Sequence, residues 1–276
     1  MDELNVFKAV LLGLLRGLTG LMPLSSRAHM LLLEKLSGAA LSGDGAAPRL
    51  MALHAGVLAA ILIACIKSVM SLIRHPIKGE LKWVLLSALL LLAVSLLLQR
   101  TGWLEVIEKS AVTLLPFALL FTGVILFLAQ RIAKNRRIAN TAHDRPNFGD
   151  ALSLGLMQLL SVFPGVSLVG MELSGSLSGG LKPKRAAEFV YLSCFPALLA
   201  LYLPGFIRLL NRGAIAQAVQ AHGAMLLGGF LAAMLTGILA IKLTQLLMRR
   251  EKLSWLTLYL ALLAIVTISL SLAGKI

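Results

Sequence analysis

The chain has 276 residues, of which 58% are hydrophobic and only 14% are charged, and its mean hydropathy is +0.89. A soluble domain carries about 25% charged residues, so this composition excludes a soluble globular protein and indicates a polytopic membrane protein. The net charge of +14 could attract nucleic acid, but the cations lie between apolar spans, as is typical of cytoplasmic loops. We therefore expect no nucleic-acid partner. Cys65 and Cys194 fall within apolar spans, which predicts packing rather than a disulfide.

The first apolar stretch, residues 11–34, contains a proline and several polar side chains. Pro23 lacks an N–H group and clashes with the preceding turn, so it predicts the end of a first helix. Ser25 or Ser26 is a good N-cap for a second helix, whose free N–H groups and positive dipole end would seat an anion. Polar groups at membrane depth are costly and are found mainly in cavities or binding sites. The candidate site residues here are Arg16, Thr19, Ser25, Ser26, Arg27 and His29.

Three apolar spans follow, uncharged apart from His54 and about as long as a bilayer core requires. A basic stretch, residues 131–149, is the predicted cytoplasmic linker between two halves, and the second half again shows a broken hairpin and three spans. The predicted spans cover residues 50–66, 83–99, 110–130, 189–207, 223–247 and 253–274.

The second broken hairpin, residues 150–180, matches the first. Gly13 lies ten residues before Pro23, Gly155 lies nine residues before Pro164, and a serine follows each proline closely. Matched Gly/Pro interruptions in two halves predict an inverted-topology repeat with a site at the repeat interface, although two ordinary proline-kinked helices would also give this pattern. The candidate site residues of this hairpin are Gly165, Ser167, Gly170 and Glu172.

A topology follows if each hairpin enters and leaves the membrane on one side. The connectors 67–82, 131–149, 182–185 and 242–252 then share one face with sixteen Lys and Arg, against seven on the other face. The positive-inside rule makes the richer face cytoplasmic and puts both termini outside. The predicted fold is an all-α polytopic membrane protein with six transmembrane helices and two opposed re-entrant hairpins whose tips meet near the midplane. Its repeats cover residues 1–130 and 150–276.

Three stretches carry a resemblance to a known family. GLLRGLTGLMPLSSRAH, residues 13–29, resembles the first signature of the undecaprenyl-diphosphatase family, or bacitracin-resistance proteins: G-x-x-E-G-x-T-E-F-x-P-[IV]-S-S-T-G-H. FPGVSLVGMELSG, residues 163–175, is similar to the second, P-G-x-S-R-S-G-x-T. KRAAEFVYLSCFP, residues 184–196, is similar to R-x-x-A-x-x-F-S-F-L-L-x-x-P. The resemblance covers nearly the whole chain, in order.

The resemblance implies a multi-pass protein of the bacterial inner membrane that handles a polyprenyl phosphate or diphosphate. The family removes a phosphate from a C55 polyprenyl diphosphate and so recycles the lipid carrier of cell-wall synthesis. A homodimer is left open. The residues that match the family's motifs are Ser25, Ser26, His29, Pro164, Gly165, Ser167 and Gly170.

The chain departs from the family's motifs at positions that bear on hydrolysis. The two family glutamates fall on Arg16 and Gly20, and the second-motif arginine falls on Leu168. In the family the two glutamates lie i,i+4 on one helix face, where they could act as a base or hold a divalent metal. An arginine there binds phosphate in the ground state as well as in the transition state, and uniform binding does not speed chemistry. Because loss of one general acid or base costs about 10²–10⁴-fold, we expect little hydrolysis by the family's route.

Each polar residue has alternatives. Ser26 is a nucleophile activated by His29 at i+3, or it donates a hydrogen bond to a bound anion, or it only caps a helix. Arg16 clamps phosphate, pairs with Glu172 or snorkels to the surface. Arg27 is a site residue or a lipid-headgroup contact just outside the site, and His54 is a core or cavity histidine. Besides Arg16, the expected phosphate-binding residues are Ser25, Ser26, Arg27 and Ser167.

The histidines lack the spacing of a metal site, and we expect neither a metal nor another cofactor. His75, His143 and His222 fall in predicted loops. Three functions remain open. The first is a protein that binds or translocates the polyprenyl lipid with little or no hydrolysis. The second is an active diphosphatase using Ser26 and His29 with an arginine in a rearranged site. The third is a structural or regulatory partner of an active paralogue.

Overall fold

The computed structural model describes residues 6–37, 46–74 and 80–276. Within these ranges the chain forms α-helices, one 3₁₀ turn (Leu160–Val162) and an isolated β-bridge between His143 and Leu181. The helices are α1 Val6–Leu21, α2 Ser26–Ser37, α3 Ala47–Ala64, α4 Ile66–Arg74, α5 Leu81–Thr101, α6 Trp103–Lys109, α7 Ala111–Ile138, α8 Phe148–Leu159, α9 Leu168–Gly179, α10 Pro183–Asn211, α11 Ala214–Arg249 and α12 Ser254–Leu272.

Six of the described helices, α3, α5, α7, α10, α11 and α12, are long and apolar enough to cross a membrane. This confirms the predicted six-span, all-α membrane protein. A helix is favoured in these runs because lipid offers no partner to backbone N–H and C=O groups, so they must bond within the segment. The re-entrant course of the two hairpins, the cytoplasmic side and the repeat boundaries stay predictions.

Helices extend into three stretches that the sequence treated as connectors. α4 continues beyond Cys65, α6 occupies most of the turn between α5 and α7, and α7 runs to Ile138 inside the predicted linker 131–149. The basic residues at the end of α7 are good helix formers and complement the negative end of the helix dipole, which explains the extension. His222 lies inside α11, where the backbone is kinked, and not in a loop; His75 lies outside the described residues.

Both helix breaks form where the sequence predicted them. α1 ends at Leu21, before Pro23, and the Ala28 N–H donates to Ser25 Oγ (3.3 Å) at the start of α2. In the second hairpin, the Gly170 N–H donates to Ser167 Oγ (3.1 Å) at the start of α9. The predicted serine cap of α2 is therefore confirmed, and Ser167 caps α9 in the same way.

The hairpin of each half packs against a span of the other half. α1 packs on α11 through small residues. A Cβ atom on Gly17 would overlap the Ala233 carbonyl oxygen, and a Cβ atom on Gly13 would overlap the Gly229 carbonyl oxygen. Gly155 of α8 packs against Ser87 of α5. Small residues let membrane helices approach closely, so these contacts fix each hairpin on the opposite half.

The four basic connectors lie on one side of the protein, as predicted. Lys182 donates to Asp144 (2.6 Å), which lowers the pKa of that carboxyl below its ordinary value, and Arg137 pairs with Glu251. Arg185 pairs with Glu80, which precedes α5. Since these pairs join residues from all four connectors, the prediction that they share one face is confirmed. We call this side the basic face.

Candidate phosphate site at the first helix break

Arg16 is the centre of a buried polar cluster at the first helix break. Its side chain is only 7% exposed, Nη1 donates to Ser26 Oγ (2.9 Å), and Nη2 donates to the Tyr202 hydroxyl (2.6 Å). Among the described residues, its Nε atom is buried without a hydrogen-bond partner. Arg16 is thus held inside the protein and does not snorkel to the membrane surface.

His54 lies in the same cluster. Its ring stacks on the Tyr202 ring with centroids 3.6 Å apart and planes 6° apart, and within the described structure its Nδ1 is buried without a partner. Gly20 faces the cluster as well, because a Cβ atom there would lie 3.9 Å from Ser26 Cβ and in ordinary contact with Val57. There is room for a side chain at the position where the family resemblance places a glutamate.

His29 does not form the expected pair with Ser26. Its Nδ1 lies 2.9 Å from the Ser25 carbonyl oxygen, which can only accept, so Nδ1 carries a hydrogen. Its Nε2 lies 2.7 Å from the Tyr259 hydroxyl, and Ser26 Oγ accepts from Arg16. Within the described part of the chain, no hydrogen bond joins Ser26 to His29, so the predicted nucleophile–base pair is absent from this arrangement.

Thr19 and Arg27 lie outside the cluster. Thr19 is buried and donates its hydroxyl hydrogen to the Leu15 carbonyl oxygen (2.6 Å) in its own helix. Arg27 is half-exposed and pairs with Glu108 (2.8 Å) in α6, the helix between α5 and α7. The predicted topology places that connector on the face with fewer cations, and the Arg27–Glu108 pair ties the start of α2 to it.

The second break has its own partners. The Ser167 N–H donates to Thr122 Oγ1 (3.2 Å), and Gly165, at a φ of +93°, packs against Ala118 and Leu115 of α7. Gly170 also lies against Thr122. The described hydrogen bonds of Ser167 thus run to α7 and to its own helix rather than to the first break.

Glu172 is fully buried in α9 and does not pair with Arg16. Its Oε1 accepts a hydrogen bond from Gln158 Nε2 (2.8 Å), while Oε2 lacks a partner among the described residues. The predicted ion pair is wrong because the fold places the Glu172 carboxyl between α8 and α9, where its hydrogen-bond partner is the Gln158 amide.

Sequence reasoning missed the tyrosines. The chain has three, and each bonds to the first hairpin: Tyr191 donates to the Leu21 carbonyl oxygen (2.8 Å), Tyr202 accepts from Arg16, and Tyr259 contacts His29. A buried tyrosine hydroxyl usually requires a partner. Three tyrosines inside apolar spans of the second half were a usable signal that these spans face polar groups.

The cluster suits an anion better than a cation. Its described groups are a guanidinium, two hydroxyls and an imidazole, and a divalent metal at this place would lie beside the Arg16 charge without a carboxylate ligand. Elsewhere in the described residues, no three His, Cys, Asp or Glu side chains gather. The residues present do not fit a metal. A phosphate, in contrast, is bound well by a guanidinium with neutral donors around it.

Comparison with known proteins supplies relatives over the whole chain. The family model described as bacitracin resistance protein BacA matches residues 9–266. A relative from Carboxydothermus hydrogenoformans, named undecaprenyl-diphosphatase, is 30% identical and the alignment covers 99% of this chain and 100% of the relative. Relatives of the same name from Sinorhizobium medicae and Methanosphaera stadtmanae are each 27% identical, over 88% and 97% of this chain and 88% and 99% of their own lengths.

Proposed function

This chain belongs to the BacA family of bacitracin resistance proteins, and from that premise we propose that it binds a polyprenyl phosphate or diphosphate at the first helix break and translocates it with little or no hydrolysis. The six apolar helices and the family place it in the bacterial inner membrane as a multi-pass protein. The relatives' name, undecaprenyl-diphosphatase, supports the lipid class.

The observation that carries the proposal is the buried Arg16 guanidinium bonded to Ser26 Oγ and to Tyr202. A buried charge with only neutral partners loses several kcal/mol of hydration and gains little in return. A phosphate entering from the membrane would supply the missing negative charge. Arginine is well suited to this because its planar donors match phosphate oxygens in pairs.

The surroundings of Ser26 argue against rapid hydrolysis. Phosphoryl transfer requires a positioned nucleophile, stabilisation of developing charge and usually proton transfer. Ser26 Oγ accepts from a cation, which does not remove its proton, and Nε2 of His29 faces Tyr259. Gly20 offers no carboxyl group. Among the described residues, the groups beside Ser26 thus favour binding of a phosphate over its cleavage.

Translocation is supported by the way the two halves interlock. α1 of the first half lies on α11 of the second, and α8 of the second lies on α5 of the first. Opposed hairpins crossing between halves are the arrangement in which alternating access operates around a central site.

Binding is tested with detergent-purified protein and long-chain polyprenyl phosphate or diphosphate. We expect saturable binding that Arg16→Gln weakens about 10- to 100-fold, since hydrogen bonds to a charged group contribute about 1.5–3 kcal/mol. Lys109→Gln removes an exposed cation from the same face and should leave the affinity within about twofold. Absence of saturable binding by the unaltered protein would overturn the proposal.

Translocation is tested in vesicles that carry a polyprenyl phosphate and the protein. A soluble phosphatase added outside should reach more than the outer-leaflet half of the lipid when the protein is present, and only that half with Arg16→Gln. If the phosphatase reaches only the outer-leaflet half of the lipid with the unaltered protein as well as with Arg16→Gln, the function is limited to binding.

A second candidate, diphosphatase activity, is favoured by the relatives' name and by the match of Ser25, Ser26 and His29 to the first signature. The discriminating experiment measures phosphate release from undecaprenyl diphosphate, with and without divalent metal. We expect little release from the unaltered chain and a gain in the triple variant Arg16→Glu, Gly20→Glu and Leu168→Arg. Rapid release that Ser26→Ala and His29→Ala both abolish would establish the enzyme instead.

A further inference from the structure

A pocket opens on the basic face, away from the first helix break. It has a volume of about 280 Å³ and lies between the end of α7, the junction of α9 and α10, and the turn from α11 to α12. None of its lining residues belongs to α1 or α2. The proposed polyprenyl site and this pocket are therefore separate.

The rim of the pocket is cationic. Arg131, Lys134 and Arg137 follow each other at three-residue spacing on α7 and so lie along one side of that helix. Arg137 is paired with Glu251, and the Arg131 guanidinium lies 5.0 Å from the centre of the Phe127 ring. In the part of the chain that the structure describes, neither Arg131 nor Lys134 has an acidic partner. Glu251 also lines the pocket, but its carboxylate is paired with Arg137, so the charges of Arg131 and Lys134 are left without a described counter-charge.

The floor of the pocket is apolar. Leu177, Met248 and Leu253 are each at most 3% exposed, and Phe127 adds an aromatic face. A free phosphate ion would gain nothing from such a floor. A ligand with a phosphate head and a hydrocarbon tail would contact both the rim and the floor.

Two features indicate that the pocket lies at the level of the bilayer phosphates. α7 changes there from apolar to basic sequence, and Trp255, 64% exposed, follows the lining residue Ser254. Exposed tryptophans collect at the membrane–water interface, so Trp255 marks that level. Basic pockets between transmembrane helices at this depth suit anionic lipid headgroups.

We propose that this pocket is a binding site for an anionic glycerophospholipid, with the phosphate between Arg131 and Lys134 and the first part of an acyl chain on the apolar floor. The lipid would brace the end of α7 against the turn between α11 and α12, where Arg137 and Glu251 already pair. This site does not depend on what the first helix break binds.

The experiment measures lipid retention by the full-length protein with phosphatidylglycerol and phosphatidylcholine as probes, for example by native mass spectrometry. We expect preferential retention of phosphatidylglycerol, weakened about 30-fold in Arg131→Gln/Lys134→Gln, as for the loss of two cations near an anionic surface. The matched control, Arg249→Gln/Arg250→Gln, removes two cations of the same face that do not line the pocket and should change retention less than about threefold. Equal retention by both double variants would overturn the proposal.

A second arm separates this lipid from the polyprenyl ligand. Arg16→Gln should leave phosphatidylglycerol retention unchanged, and Arg131→Gln/Lys134→Gln should leave polyprenyl phosphate binding unchanged. If the latter variant instead loses polyprenyl phosphate and keeps phosphatidylglycerol, the occupant is the polyprenyl lipid and the proposal is wrong.

Discussion

The two helix breaks share a proline followed closely by a serine, but their surroundings differ. In the first, the polar groups around Ser26 are a guanidinium, a tyrosine hydroxyl and an imidazole, which with Ser26 itself come from four helices, and the chain turns through Ser25 at a φ of +64°. In the second, the turn is made by Gly165, and Gly175 of α9 lies directly on α8. The first break brings charged and polar side chains of several helices together, whereas the second break is filled by close packing of its glycines against α7 and α8. A matched pair of proline breaks therefore predicts two hairpins and does not predict two sites.

The largest expected effect concerns how the first hairpin is fixed. Gly17→Ala would place a Cβ atom into the Ala233 backbone and the Thr236 hydroxyl, and we expect a loss of about 3 kcal/mol of stability, at the upper end for overpacking, with loss of ligand binding. Gly20→Ala, one turn later on α1, meets only ordinary contacts and should be neutral or slightly stabilising. Thermal unfolding in detergent measures both, and equal melting temperatures would show that α1 does not depend on α11.

A change at the second break should affect stability and leave binding intact. Glu172→Ala removes a buried side chain and leaves the Gln158 amide unpaired, which we expect to cost about 2–3 kcal/mol. Glu172→Gln keeps the volume and should cost less than about 1 kcal/mol. Polyprenyl phosphate affinity, measured on the folded fraction, should be unchanged in both. A loss of affinity in Glu172→Gln would show that the second break belongs to the site.

Two of the tyrosines should also differ in their effects on binding and on stability. Tyr202→Phe keeps the stacking on His54 but leaves an N–H of the buried Arg16 guanidinium unpaired, so we expect a loss of about 1.5–3 kcal/mol of stability without ligand and, because Arg16 is then held less firmly, an affinity about fivefold lower. Tyr191→Phe removes the hydrogen bond to the Leu21 carbonyl and should cost about 1 kcal/mol of stability. Parallel titrations and melting curves separate the two. Matching profiles for the two variants would contradict the assignment of Tyr202 to the site.

The smallest effect is expected at the turn of the first hairpin. Ser25→Gly relieves a left-handed backbone conformation, which costs about 1 kcal/mol for a residue with a Cβ atom, and loses only a few tenths of a kcal/mol as a helix cap. We expect a melting temperature equal to or slightly above that of the unaltered protein, and unaltered binding. A clear decrease in melting temperature would mean that the Ser25 hydroxyl has a larger role than capping α2.

The sequence predicted the helices and the breaks because both are local properties. Hydropathy over a span and the missing N–H of Pro23 or Pro164 act within a few residues. Partners across the fold are a different matter: Arg16 and Tyr202 are separated by 186 positions, and only the packing of α10 brings them together. The expected Arg16–Glu172 pair failed for this reason. Two opposite charges in apolar spans would be stabilised by pairing, but the sequence does not show whether their helices are neighbours.

The contacts of the three tyrosines have a consequence for biogenesis. A chain emerges from the ribosome N-terminus first, so α1 and α2 are synthesised before the helices that complete them. The hydroxyls of Tyr191, Tyr202 and Tyr259, and the groove on α11 that receives Gly13 and Gly17, all come from the last third of the chain. The first hairpin is therefore synthesised first, but its contacts are completed only after the last helices have been made. Two separately expressed halves should accordingly regain the phosphate seat only when they meet in the same membrane.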